Sequence, residues 1–114
     1  MILRTNHAEY PATATSPAVV HDDLMIIYTA GEGVHAHFYD TEGHLIHYTV
    51  TFPAPNQALF MGDITPGAPR FRLNYKLRAD GVVEGEFGSA PPGQPEAFKP
   101  YLAWEMRKAG SAGR

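Results

Sequence analysis

The chain has 114 residues, 44% of them apolar and 18% charged, the composition of one globular domain able to bury a core. Nine Lys and Arg against 12 Asp and Glu give a net charge of −3, which argues against a broad nucleic-acid surface. No cysteine occurs, so a disulfide frame, a thiolate metal site and a cysteine nucleophile are excluded.

Residues 1–17 predict an extended N-terminal arm. Tyr10-Pro11 and Ser16-Pro17 bracket the small-residue stretch ATATS, and Ile2-Leu3-Arg4 can open a short edge strand. The sharper reading of this arm is exchange with a partner subunit. The N-terminus lacks a basic, apolar, small-residue signal pattern, so a cytoplasmic location is expected. The longest apolar run, residues 24–28, is too short to span a bilayer, so no membrane partner is expected.

The main domain is placed at residues 18–108. Ala18-Val19-Val20 and residues 24–30 read as two strands, with His21-Asp22-Asp23 as a tight turn between them. Gly31-Glu32-Gly33 then turns the chain into a central hairpin. There Asp40-Thr41-Glu42-Gly43 is a type I turn signal with Gly43 free to take the left-handed conformation of a G1 bulge. This turn pairs Asp40 with His44 and, stepping outward, His37 with His47. Strand neighbours alternate faces, so Val34, Ala36, Phe38, Ile46, Tyr48, Val50 and Phe52 share a greasy face. His35, His37, Tyr39, Leu45, His47, Thr49 and Thr51 share the other.

Pro53-Ala54-Pro55-Asn56 reads as a turn, residues 57–61 as a short strand and residues 62–69 as a Gly/Pro-rich loop. A second hairpin follows. Phe71, Leu73, Tyr75 and Leu77 alternate with Arg70, Arg72, Asn74 and Lys76, and Arg78-Ala79-Asp80-Gly81 repeats the bulged turn. That register sets Lys76 opposite Glu84, Asn74 opposite Glu86 and Leu73 opposite Phe87. Pro95 to Lys99 reads as one short helical turn, because Pro is tolerated at a first helical position. Residues 101–108 alternate with a period of two and read as a strand, although Pro100 also suits a helix start. Residues 109–114 read as a frayed tail. The sum is all-β: an antiparallel up-and-down meander of about seven or eight strands.

Two blocks, YTAGEGVHAHFYDTEGHLIHYTV and PRFRLNYKL followed by APPGQPEAFKPYLAWEMRK, resemble an uncharacterised group of small bacterial lipocalin-like domains. The resemblance covers about residues 24 to 108. It implies a calycin-type β-barrel or partial barrel, and it carries no established activity. Chains of that group have more sequence before the strand at Leu24, so an N-terminally short barrel with open edges is expected here. Open edges in turn predict a homodimer.

Three candidate constellations emerge. His35, His37 and His47 share a face, with the Cβ atoms of His37 and His47 expected about 4.5–5.5 Å apart. Three neutral imidazoles can take Zn²⁺ at about 2.0–2.1 Å and leave a position for water. The pattern is similar to the three-histidine site of the α-class carbonic anhydrases. The plainer alternative is a polar wall of a ligand pocket, with Tyr39 beside it and no cofactor. Arg70 and Arg72 can clamp a carboxylate or phosphate, or simply pair with Glu84 and Glu86 on a solvated face. Tyr48, Tyr75 and Trp104, among the other aromatics, can line a pocket for a small apolar or aromatic ligand or fill the core. The functional expectation is a small-molecule-binding domain. A zinc enzyme using bound water and a structural, oligomerising subunit are the alternatives.

Overall fold

The computed structural model describes residues 1–107. The tail predicted at 109–114, and the last residue of the strand predicted at 101–108, lie outside these. Eight antiparallel strands follow one another as a meander: β1 (Ile2–Tyr10), β2 (Val19–Ala30), β3 (Gly33–Asp40), β4 (Leu45–Thr51), β5 (Gln57–Gly62), β6 (Arg70–Leu77), β7 (Val83–Ala90) and β8 (Lys99–Met106). The expected all-β class holds, and no helix long and apolar enough to cross a membrane is found among the described residues. The chain divides into two compact units, Met1–Tyr48 and a second beginning at Thr49.

In the first unit β1 pairs with β2 along its whole length, from Ile2 opposite Ile27 to Tyr10 opposite Val19. The stretch expected as an arm therefore contributes a nine-residue strand to its own chain. The turn expected at His21-Asp22-Asp23 is not there. Instead β2 runs unbroken through it for 12 residues, because each acidic side chain finds a partner across the sheet. The Asn6 amide donates to Asp23 Oδ2 at 3.2 Å, and His7 pairs with Asp22. Thr41 also ties the Asp22 backbone: its N–H donates to Asp22 O at 3.0 Å, and its hydroxyl accepts the Asp22 N–H at 3.1 Å.

Gly31 and Glu32 alone connect β2 to β3. Ala30 pairs with Gly33, and Gly31 has a φ of 62°, at the position where a two-residue hairpin turn favours glycine. The β3–β4 turn is as expected: Asp40 N–H donates to His44 O at 3.2 Å, Gly43 N–H donates to Asp40 O at 3.3 Å, and Gly43 has a φ of 87°. On the greasy face Met25, Ala36 and Tyr48 are fully buried. Phe52 lies past the end of β4 and is exposed.

In the second unit the register of β6 and β7 is the expected one, with Lys76 opposite Glu84, Asn74 opposite Glu86 and Leu73 opposite Phe87. The turn closes through Arg78 N–H to Val82 O at 2.8 Å, with Gly81 at a φ of 85°. Phe60, Leu73, Phe87 and Leu102 line up across the four strands, and Tyr75, Gly85 and Trp104 form the next row. A Cβ on Gly85 would lie 2.5 Å from the Trp104 ring, so the indole occupies the space a side chain would need. The strand at β8 is confirmed and begins earlier than expected, at Lys99. The helical turn expected at Pro95 to Lys99 is absent. Gln94 N–H donates to Pro91 O and Ala97 N–H to Gln94 O, each at 3.0 Å, giving two successive β-turns. Lys99 is drawn out of any helix by its pairing with Ser89 on β7.

Candidate functional site

The histidine face lies entirely within Met1–Tyr48. β3 supplies His35, His37 and Tyr39, β4 supplies His47, and β2 adds Tyr28, directly opposite His35. His35 Nδ1 sits 3.0 Å from His47 Nε2, with the rings stacked at 5.2 Å. The Tyr28 hydroxyl lies 3.0 Å from His37 Nε2, and the Tyr39 hydroxyl 3.4 Å from His37 Nδ1. Tyr28 also stacks on His35 at 5.7 Å and meets His37 edge-on at 5.3 Å. The five side chains thus form one contiguous aromatic and polar surface, most of it half-buried.

The hydrogen bonds constrain each ring. A neutral imidazole has one donor and one acceptor nitrogen. When the Tyr28 hydroxyl donates to His37 Nε2, the Nδ1–H is left to donate to the Tyr39 oxygen. In the same way, one of His35 and His47 donates to the other. His37 therefore has a hydroxyl at both nitrogens, and joining a zinc site with His35 and His47 would mean giving one up. Tyr28 is a member that the sequence reading did not place beside the histidines. A three-residue turn at Gly31-Glu32-Gly33 would set it opposite Ala36, whereas the observed two-residue turn sets it opposite His35.

Tyr48 follows His47 on β4 and points to the opposite, buried face, away from the histidines. In the second unit, Arg70 and Arg72 face away from Tyr75 and Trp104 along β6. Neither arginine is an open clamp. Arg70 donates through Nε to Gly62 O at 2.8 Å and through Nη1 to Pro95 O at 3.0 Å. Arg72 lies 4.5 Å over the Phe98 ring and 3.8 Å from the Glu86 carboxylate. Both hold the loop before β8, a role the alternation pattern did not reveal. Tyr75 and Trp104 meet edge-on at 6.1 Å, as one link in an aromatic row with Phe60. A shallow depression of about 430 Å³ is lined by Asn74, Lys76, Glu84, Glu86, Trp104 and Glu105. Arg78 spans part of its rim, 3.5 Å from Glu84 and 2.7 Å from Glu105.

One further cluster went unread in the sequence. His21, Asp40 and Glu42 bring one ligand atom each to within 4.8 Å of one another. The Glu42 carboxylate, 2.6 Å from His21 Nδ1, raises the imidazole pKa above its usual value, against the opposing effect of burial. Because β2 runs unbroken through residues 21–23, His21 stands on a sheet face that a turn there would deny it. No family model, curated protein or solved structure matches the chain.

Proposed function

We propose that the chain is a small-molecule-binding module, akin to the lipocalin-like domains its sequence resembles, with Tyr28, His35, His37, Tyr39 and His47 as the contact surface. The carrying observation is the pair of hydrogen-bonded sets, Tyr28–His37–Tyr39 and His35–His47, within one half-buried patch. Such a patch offers flat π faces for stacking together with donors and acceptors that fix an orientation, the usual make-up of a small-molecule site. Ile26 lies opposite His37 and adds an apolar margin. The chemistry suits a small aromatic or partly apolar molecule carrying one polar group, and it needs no cofactor.

The test is a nuclear magnetic resonance titration with a panel of simple phenols and aromatic carboxylates, following the ring resonances of the histidines. Selective shifts of His35, His37 and His47 that disappear in Tyr28→Phe and His37→Ala support the reading. A panel that leaves these rings unmoved, or shifts that survive both substitutions, overturns it. The zinc-enzyme alternative is read in the same samples: stoichiometric zinc lost on His37→Ala would put it first.

A homodimer belongs to the same reading. Among the described residues β1 pairs only with β2 and β8 only with β7, so each leaves a row of backbone donors and acceptors without a strand partner.

A further inference from the structure

The corner formed by β1, β2 and the β3–β4 turn carries an arrangement independent of the histidine face. Asp23 and Asp40 stand directly opposite each other across β2 and β3. Their side chains are only 8% and 5% exposed. Like charges in register on one sheet face repel, and burial takes away the water that would screen them. His21 lies two residues before Asp23 on the same face, and Asn6 stands opposite Asp23 on β1.

The Asp23 carboxylate is half-satisfied. Its Oδ2 accepts from Asn6 and lies 3.0 Å from His21 Nε2, on the far side of the ring from Glu42. Its Oδ1 is buried and has no hydrogen-bond partner. A buried carboxylate oxygen left unpaired is costly, so a positive charge close to it is stabilising. Asp40, by contrast, is tightly oriented. Oδ1 accepts the Glu42 and His44 N–H groups, both at 2.9 Å, and Oδ2 sits 2.7 Å from His44 Nδ1. Hydrogen bonds of this kind are what aim a carboxylate at a metal.

We propose that this corner is a divalent-cation site, with His21, Asp40 and Glu42 as protein ligands and Asp23 orienting the His21 ring from its other nitrogen. One imidazole and two carboxylates make a mixed nitrogen and oxygen donor set that water can complete. That set suits a first-row ion such as Mn²⁺ or Zn²⁺ better than Ca²⁺, which takes oxygen ligands. The ion would replace the direct His21–Glu42 contact, and its two positive charges would offset the repulsion between Asp23 and Asp40. Because its ligands come from β2 and the β3–β4 turn, binding fastens the turn to the sheet.

The experiment adds Mn²⁺ to chelator-treated protein, followed by electron paramagnetic resonance, with Zn²⁺ titrated by calorimetry in parallel. One ion per chain and a rise in melting temperature with metal are expected. Glu42→Gln and Asp23→Asn should each weaken binding about tenfold or more, while His37→Ala leaves it unchanged. Glu42 is exposed in the turn, so Glu42→Gln separates loss of a ligand from loss of the fold. The proposal is overturned by absence of binding at millimolar metal, by affinity that persists in either carboxylate variant, or by binding that vanishes with His37→Ala. The last result would place the ion on the histidine face.

Discussion

Tyr28 and His35 face each other directly across β2 and β3, with their rings stacked at 5.7 Å and inclined by 22°. From that position the Tyr28 hydroxyl reaches the next histidine along β3, His37, at 3.0 Å. One side chain thereby holds two histidines, stacking on one and hydrogen-bonding to the other. Tyr28→Phe keeps the stack and deletes the bond. The loss should destabilise the protein by about 1 kcal/mol, the ordinary net value of one hydrogen bond. Urea denaturation measures it. Tyr28→Ala removes both contacts and should cost clearly more, and equal effects for the two variants would mean the stack contributes nothing.

What could be read from the sequence divides along a physical line. The turns at Asp40–Gly43 and Arg78–Gly81 are legible because each carries, as its fourth residue, the glycine that a bulged turn needs. Local chemistry there determines the register of a whole hairpin. Where a distant partner decides, the sequence misleads. His21-Asp22-Asp23 has turn composition, yet Asn6, His7 and Thr41 satisfy it as strand, and none of them is near in sequence. Gly31-Glu32-Gly33 allowed turns of two or three residues. That choice sets which face Tyr28 takes, and the observed two-residue turn brings it beside the histidines. The cation corner was hidden by the same misreading, since it needs β2 to continue through His21.

Gly85 tests the aromatic row of the second unit. Its missing side chain lets the Trp104 ring lie against the β7 backbone, and an added Cβ would meet ring atoms at 2.5 to 2.7 Å. Gly85→Ala should therefore push Trp104 off the sheet and away from Tyr75. Overpacking of this kind costs about 1–3 kcal/mol. Trp104 is the sole tryptophan, so its fluorescence reports the displacement directly. An unshifted emission spectrum with wild-type stability would refute the packing described.

The β6–β7 turn should carry an acid-sensitive contribution to stability. The Arg78 guanidinium, hydrogen-bonded to Asp80, holds that carboxyl down from 3.8 to about 2, helped by the Val82 N–H. Glu84 and Glu105 also face Arg78. A carboxyl whose pKa is depressed by folding stabilises the fold at pH values above its unfolded pKa, and that support is lost as pH falls through the folded value. Stability from Asp80 should thus be complete at neutral pH and decline between about pH 4 and pH 2. Asp80→Asn should flatten the acid limb of a stability-against-pH curve in that window. The Asp80 side chain is half exposed, so high salt should shrink the effect. An acid limb unchanged by the substitution would assign the loss to other carboxylates.

The proposed dimer makes its prediction at β8. The two outer strands differ in what they present. β1 interleaves Arg4, Asn6 and Glu9 with its apolar residues, and charge on an edge strand discourages pairing. β8 presents Tyr101 and Leu102 side by side, 72% and 56% exposed. Two copies related by a two-fold axis can pair β8 with β8 in antiparallel fashion, which places each Tyr101 and Leu102 against the partner and closes the β8 edge of each copy. Light scattering on the wild-type protein at micromolar concentration should therefore give the mass of two chains. Leu102→Lys places a charge in the middle of that edge and should return a monomer with unchanged β-sheet content by circular dichroism. Leu3→Lys on β1 should leave the dimer intact. A monomeric wild type removes the proposal, and a dimer broken by Leu3→Lys but not by Leu102→Lys moves the interface to β1.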